Sequence, residues 1–155
     1  MSDRSHQRVE RVATPNGIPA RFFPDHTLTP GVALQVGAAQ ICVSGYSSSV
    51  RDVSEADKAA VYDRYGVTWV PYAHEIDHLV ALELGGSNDI HNLWPEPYAG
   101  LWGARTKDAL ENRMHDLVCS GQLSLRKAQY ASQGTVPRGT ELGCGLSRLC
   151  GRNSG

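Results

Sequence analysis

The sequence has no long apolar run, and none of its hydrophobic stretches approaches the roughly 20 residues that a membrane-spanning helix requires. It also has no excess of either charge, because 15 basic side chains are balanced by 16 acidic ones and the net charge is −1. Nucleic-acid-binding proteins commonly carry a basic excess, since phosphate contacts are driven by counterion release. Any basic surface on this chain must therefore be local, and tight nonspecific binding to DNA is not expected.

Paired Cys-x-x-Cys motifs are also absent, although the chain has four cysteines. This spacing argues against a zinc ribbon. Cys42 and Cys119 each lie beside a segment that is predicted to join the core, and they form either a disulfide or two buried free thiols. Cys144 and Cys150 lie in a tail rich in Gly, Ser and Arg, where they either pair with each other or stay exposed.

A length of 155 residues with 41% hydrophobic side chains allows one hydrophobic core but not two. We expect an irregular N-terminal arm over residues 1–30, a folded domain over 31–132 and a flexible C-terminal tail over 133–155. Residues 1–10 are predominantly polar and contain no secretory signal. The protein is therefore expected to be either cytoplasmic or secreted with its signal absent from this chain.

The first half of the folded domain is predicted to contain one strand and one helix. A short alternating run over residues 32–43 is typical of a strand. Ser54 is a good N-cap with an acidic residue three positions later, and Gly66 is a natural stop. Residues 55–65 are therefore predicted to form a helix.

The second half is predicted to run strand, loop, strand and helix. An extended segment covers residues 71–78, a loop with its turn at Gly85-Gly86 covers 79–90, and a second short strand covers 92–95. A longer helix over residues 107–119 follows, and Ser124 caps a last short helix. The longer helix has an apolar stripe that is predicted to pack on the core: Leu110, Met114, Leu117 and Val118.

The segment over residues 75–95 combines the residue types that phosphodiester hydrolysis requires. Asp77 stands directly before His78, and Asn92 follows in an Asn-Leu pair after the Gly-Gly turn. Hydrolysis needs a base that activates water and positive charge that neutralises the phosphorane. A neutral imidazole suits the first task near pH 7, and a hard cation held by a carboxylate suits the second.

This segment resembles the HNH branch of the ββα-metal nucleases, and the likeness to a bacterial HNH subfamily covers roughly residues 28–130. The resemblance implies a small α+β domain centred on a ββα-metal motif with flanking helices. It also implies a metal-dependent endonuclease, a hydrolase that cleaves DNA, with RNA as a second substrate and no association with membranes.

The resemblance also assigns roles to three residues. His78 would be the general base, Asp77 a metal ligand, and Asn92 the residue whose amide holds the loop and orients His78. The implied cofactor is Mg²⁺ or Mn²⁺, with Zn²⁺ or Ni²⁺ as alternatives where more histidines bind.

The helix position that completes the metal site in HNH nucleases has no clear match in this chain. Its expected region holds Leu101, Trp102 and Gly103. Asp108 and Glu111 are the nearest candidates, since residues three apart share a helix face. The same pair is equally well explained as a capping box at the start of the helix. Among residues with ligand atoms there, Glu111 is favoured over Asp108, and Asn112 and His115 remain as alternatives.

Two other functions compete with the nuclease. Residues 74–78 match H-E-x-x-H, the zinc-protease motif, in which His74 and His78 would bind zinc and Glu75 would be the base. That motif requires a helix, whereas the preceding Val-Pro-Tyr favours extended backbone. The missing helix ligand suggests the other alternative, a degenerate HNH-like module that binds nucleic acid without cleaving it.

Three basic residues are candidates for contacts with substrate phosphates: Arg51, Arg105 and Lys107. Single basic residues are also commonly just solvated. Glu75 lies two residues before Asp77, hence on the same side of an extended strand, where it would support the metal site from outside the ligand set.

Overall fold

Five helices and one two-stranded antiparallel sheet make up the part of the computed structural model that is described, residues 23–99 and 103–134. The helices are α1 (Ala38–Ile41), α2 (Tyr46–Val50), α3 (Glu55–Tyr65), α4 (Ala104–Cys119) and α5 (Leu125–Ser132). The strands are β1 (His74–His78) and β2 (Leu93–Pro97). The predicted α+β class is confirmed. Most of the predicted arm and tail, with Cys144 and Cys150, lies outside the described residues.

Helix α3 has the predicted bounds, and its ends show why. The Ser54 hydroxyl accepts a hydrogen bond from the Asp57 backbone N–H at 3.1 Å, and the Asp57 carboxylate accepts one from the Ser54 N–H at 3.0 Å. Gly66 ends the helix in the left-handed conformation, with φ of 59°. Strong local capping at both ends therefore fixes this helix.

The strand predicted over residues 32–43 is wrong. One isolated bridge pairs Ala33 with Gly86, and Ala38–Ile41 forms a helical turn instead. The Gln40 side chain accepts a hydrogen bond from the Gly37 N–H at 2.9 Å, which caps this turn and directs Ile41 into the core. Apolar alternation there reflects a short helix and a loop packed on the core.

Strands β1 and β2 pair in a register that places acidic residues together. Glu75 lies opposite Glu96, and Asp77 lies opposite Trp94. Because side chains alternate along a strand, these four residues share one side of the sheet, and His78 projects from the other. The loop between the strands contains two 3₁₀ turns, and the Leu79 N–H donates to the Asn92 carbonyl at 2.7 Å.

Helix α4 begins three residues before its predicted start, with Gly103 as its N-cap. Asp108 therefore lies inside the helix and is exposed, so the capping-box interpretation of Asp108 and Glu111 is wrong. The placement of Leu110 in the core is also wrong, because its side chain is 42% exposed. The buried side of α4 consists of Ala104, Glu111, Met114 and Val118. Glu111 is therefore buried on the side of α4 where the apolar pattern predicted Leu110.

The hydrophobic core lies where α4 and α5 pack against α1 and the loop that follows β1. Its fully buried side chains include Ile41, Val80, Leu84 and Met114. A disulfide joins Cys42, just after α1, to Cys119 at the end of α4, and their Cα atoms are 5.6 Å apart. The disulfide alternative for these two cysteines is thus confirmed.

The Gly-Gly turn is required by close backbone packing. Gly85 has φ of 77°, and a Cβ on Gly86 would lie 1.8 Å from the Val80 carbonyl oxygen. We expect Gly86→Ala to lower the free energy of unfolding by about 3 kcal/mol or more, since the backbone atom it meets cannot move aside. Gly37→Ala, whose Cβ meets nothing closer than 4.0 Å, should cost about 1 kcal/mol or less. Urea denaturation of both variants measures the difference, and equal losses would contradict it.

Candidate active site

His78 is a buried histidine whose tautomer is fixed by its neighbours. It ends β1, is 1% exposed, and its Nε2 lies 3.0 Å from Asn88 Oδ1. The Asn88 amide is oriented by its Nδ2, which donates to the Val50 carbonyl at 2.8 Å. Because the Asn88 oxygen can only accept, Nε2 of the neutral His78 ring carries the proton. Nδ1 is then an unprotonated acceptor, 4.0 Å from Asp77 Oδ1.

The surroundings of His78 favour its neutral form. Burial lowers the pKa of the ring below its ordinary value, and the Asn88 hydrogen bond and the Asp77 charge oppose this only in part. The positive charge of Arg51 lowers the pKa further. A neutral imidazole with a free nitrogen is the form that a general base requires.

Asn92 holds the loop between the two strands. It is fully buried, and its Oδ1 accepts hydrogen bonds from the Val80 N–H at 2.9 Å and the Val32 N–H at 3.2 Å. Its Nδ2 donates to the carbonyls of Val80 at 3.0 Å and Ser87 at 2.8 Å. The amide bonds to loop backbone, so it positions the His78 ring only through the loop.

Two carboxyl groups contact the ammonium of Lys107, and a third is hydrogen-bonded to one of them. Lys107 Nζ forms an ion pair with Asp77 Oδ2 and lies 2.5 Å from Glu111 Oε1. The third carboxyl, that of Glu96, forms a hydrogen bond with Asp77. All four side chains are largely buried, and Glu96 is 1% exposed. Strand β1, strand β2 and helix α4 thus contribute one carboxyl each. We call these three residues the carboxylate cluster: Asp77, Glu96 and Glu111.

One ammonium cannot neutralise three buried carboxylates. Burial raises the pKa of Glu96 to about 9 and that of Glu111 to about 8. Burial, the largest single effect, acts on Asp77 in the same direction, but the Lys107 charge and the hydrogen bonds that Asp77 accepts together outweigh it and lower the pKa of Asp77. Burial lowers the pKa of Lys107, but the negative charges of its acidic neighbours raise it by more. Burial therefore favours proton uptake by Glu96 and Glu111 over further negative charge inside the cluster.

The carboxylate cluster offers only oxygen atoms to a metal ion. Oxygen donors are what Mg²⁺ and Mn²⁺ prefer. Glu96 Oε2 and Glu111 Oε1 are buried without a hydrogen-bond partner in the described structure, although the latter is ion-paired with Lys107. Buried polar atoms usually have partners, so Glu96 Oε2 is an oxygen left free to bind a cation, whereas Glu111 Oε1 would first have to lose the Lys107 ammonium.

The structure places the four helix candidates in different surroundings. Glu111 belongs to the carboxylate cluster, as the sequence-based ranking favoured. Asp108 and Asn112 are exposed on α4. His115 lies one turn beyond Glu111, and its Nε2 is 3.2 Å from the Ile41 carbonyl oxygen.

The three residues predicted to contact substrate phosphates also lie in different surroundings. Arg51 is exposed near His78, and Arg105 is exposed in the first turn of α4. Lys107 is only 16% exposed and is ion-paired within the cluster. The burial of Lys107 is not predictable from the sequence, because basic residues near the start of a helix are usually solvated.

Asn88 and Glu96 were not identified from the sequence. Strand alternation carried a signal for Glu96, because residues 75, 77, 94 and 96 all fall on one side of the paired strands. Asn88 carried no such signal. It bonds to His78 and to Val50, contacts that only the folded chain creates.

An open groove of about 1000 Å³ runs along β1 beside the site. Arg51, Lys58, Trp69, Glu75 and Tyr98 are among its lining residues. Trp69 is 62% exposed and Tyr98 46% exposed, so large aromatic surfaces border the groove.

The raised pKa values of Glu96 and Glu111 predict that the metal-free protein loses stability as pH rises. Between about pH 5 and pH 8 the folded state keeps protons that the unfolded state, with ordinary glutamate pKa values, releases. The lowered Asp77 pKa acts below this range, and the raised Lys107 pKa acts above it. The lowered His78 pKa acts in the opposite direction in the lower part of the range, but it involves one proton against two. We expect the melting temperature in EDTA to fall across this range and Glu96→Gln to reduce the slope. A melting temperature that rises with pH would contradict the assignment.

Comparison of the chain with protein-family models, with curated proteins and with solved structures finds no match. No helix in residues 23–99 and 103–134 is long and apolar enough to span a bilayer. The function is therefore inferred from the geometry of the site.

Proposed function

We propose that the protein is a metal-dependent endonuclease of the HNH type, which hydrolyses phosphodiester bonds of DNA and accepts RNA as a second substrate. The observation that carries this proposal is the placement of His78, with an unprotonated Nδ1, beside the carboxylate cluster. Strand β1, strand β2 and helix α4 supply these groups in the order expected of a ββα-metal motif. The chemistry of phosphodiester hydrolysis requires both parts, a base and a cation site.

His78 is assigned as the general base. Its Nδ1 accepts the proton of the attacking water, while Nε2–H stays bonded to Asn88 Oδ1 and keeps the ring in place. The positive charge that develops on the ring is stabilised by Asp77, 4.0 Å away. Asn92 acts at a distance, because its four hydrogen bonds keep the loop closed over the ring.

Asp77 and Glu111 would hold the cation, and Glu96 would either join them as a ligand or keep its hydrogen bond to Asp77. When bound, Mg²⁺ or Mn²⁺ neutralises charge on the phosphorane and on the leaving oxygen. All three carboxyls are oxygen donors, which favours these ions over Zn²⁺ or Ni²⁺. Lys107, now held by the same carboxylates, would be released towards the substrate phosphate, the partner expected of it from the sequence.

Arg51, Arg105 and the groove along β1 form the proposed substrate surface. Arg51 lines the groove and its positive charge acts on His78, so Arg51 is the proposed link between a bound phosphate and the base. Basic groups are few here, which agrees with the net charge of −1 and with weak nonspecific binding.

The two alternatives gain no support from the geometry. His74 and His78 lie at the two ends of a strand, roughly 13 Å apart at about 3.3 Å per residue, which is too far to share one zinc ion. The binding-only alternative was suggested by a missing helix ligand, and under this proposal Glu111, which is ion-paired with Lys107, would take that role.

A plasmid-nicking assay tests the proposal. Metal-free protein is incubated with supercoiled plasmid in EDTA or in Mg²⁺, Mn²⁺, Zn²⁺ or Ni²⁺. We expect nicked and linear products with Mg²⁺ or Mn²⁺, bearing 5′-phosphate ends, and none in EDTA. Casein hydrolysis that depends on zinc and His74, or the absence of cleavage with every cation, would refute it.

A further inference from the structure

The end of α4 that lies away from the carboxylate cluster carries a second group of metal-binding side chains. The ligand atoms of Cys42, His115 and Cys119 all lie within 4.8 Å of one another. His115 Nε2 is 3.5 Å from Cys119 Sγ, and the two cysteines are joined by the disulfide. We call these three residues the Cys-His group.

The Cys-His group is separate from the proposed nuclease site. Lys107, Glu111, His115 and Cys119 follow one another at intervals of four residues, so they lie along one side of α4. The rise from Glu111 to Cys119 is about 12 Å at 1.5 Å per residue, too far for the two groups to share an ion. Their donors differ as well, since one group offers oxygen and the other sulfur and nitrogen.

We propose that reduction of the Cys42–Cys119 disulfide converts the Cys-His group into a zinc site with two thiolates and one imidazole. Zn–S bonds of about 2.3 Å and Zn–N bonds of about 2.0–2.1 Å give tetrahedral S–N and S–S separations of roughly 3.6 and 3.8 Å. The distance from His115 Nε2 to Cys119 Sγ already matches the first value. The two sulfurs must move apart, and His115 Nε2 must take the same distance from Cys42 Sγ, which now lies within 4.8 Å of it.

The conversion needs an external reductant, and metal binding then releases two protons. A dithiol breaks the S–S bond by forming its own disulfide and passes its two hydrogens to the sulfurs. A phosphine instead becomes a phosphine oxide by taking the oxygen of one water, whose two hydrogens go to the sulfurs. Zn²⁺ then displaces both thiol protons. The His115 Nε2 proton, which faces the Ile41 carbonyl, moves through water to Nδ1, and Nε2 binds the metal through the lone pair that this frees. The three protein ligands leave one coordination position for water. Thiolate and imidazole donors select Zn²⁺ over the hard cations of the carboxylate cluster.

Co²⁺ is the probe for this site, because thiolate ligands give it a charge-transfer band that oxygen ligands do not. The full chain is used in a Cys144→Ser, Cys150→Ser background, either oxidised or reduced with a phosphine that is then removed anaerobically. We expect the reduced protein to bind one Co²⁺ with this band, and Zn²⁺ to displace it. The oxidised protein should show no such band. The same result is expected with Asp77→Asn, so it does not depend on the nuclease site.

His115→Ala tests the nitrogen ligand. It should weaken Co²⁺ binding at least about tenfold, because removing a residue that only hydrogen-bonds to a metal ligand already lowers metal affinity by about this factor. The control, His91→Ala, changes an exposed histidine bonded to Asp89 and should leave Co²⁺ binding unchanged. Circular dichroism covers the case in which the reduced chain unfolds, since Zn²⁺ should then restore the helical signal. A reduced protein without the charge-transfer band, a His115→Ala variant that binds as tightly, or a failure of Zn²⁺ to restore folding would overturn the proposal.

Discussion

His78→Ala is expected to lower the rate of plasmid cleavage by about 10²–10⁴-fold, the usual contribution of a general base. The reason is the free Nδ1, which is fixed in place by the Asn88 hydrogen bond to Nε2. The variant should still bind Mn²⁺, because none of the proposed ligands is removed. Initial rates under saturating Mg²⁺, with calorimetry for Mn²⁺ binding, measure both quantities.

The matched control is His91→Ala, which removes an exposed histidine from the segment between the two strands. It should cleave at the wild-type rate. Because His78 is buried, loss of activity could follow from unfolding, so melting curves accompany the rates. Added imidazole should restore part of the activity of His78→Ala, which a merely structural role would not allow. Near wild-type cleavage by the purified variant would exclude His78 as the base.

Loss of a carboxylate from the cluster is expected to have a similarly large effect, but on metal dependence. Asp77→Asn and Glu111→Gln should each reduce Mg²⁺-dependent cleavage by at least about 10²-fold, since a catalytic cation supplies several kcal/mol of charge stabilisation. Asp108→Asn is the control on the same helix, and His74→Ala is the control on the same strand. Both should retain activity, because neither residue belongs to the cluster.

The opposite pattern would identify a different site. If Asp108→Asn abolished metal-dependent cleavage and Glu111→Gln did not, α4 would contribute its exposed face to catalysis. If His74→Ala were as damaging as Asp77→Asn, His74 would have to be counted among the site residues, as it is in the zinc-protease alternative. Calorimetric Mn²⁺ titrations of all four variants separate loss of binding from loss of chemistry.

Local signals explain how much of this fold is predictable from the sequence. Helix α3 follows from Ser54, Asp57 and Gly66, which form hydrogen bonds with near neighbours and need no other part of the chain. The order of strand, loop, strand and helix follows from the Gly-Gly turn and the change of apolar period. These are short-range effects, so a single sequence contains them.

The remaining features depend on contacts between distant segments. Lys107 was expected to contact substrate phosphate, yet its ion pairs with Asp77 and Glu111 hold it in a largely buried position. Asn88 reaches His78 only because the loop closes on the segment before α3. The helical turn at residues 38–41 is similarly a product of packing, since Ile41 enters a core formed by α4 and α5.

The most direct test of the proposed site is a crystal of the protein soaked in Mn²⁺, with the ion located by its anomalous scattering. We expect a peak within direct ligand distance, about 2.0–2.6 Å, of carboxylate oxygens of Asp77 and Glu111, with Lys107 Nζ moved away from both. A protein with no Mn²⁺ peak within about 5 Å of Asp77 and of every ligand-bearing residue on α4, and with Lys107 still paired to Asp77 and Glu111, would contradict the metal-dependent nuclease.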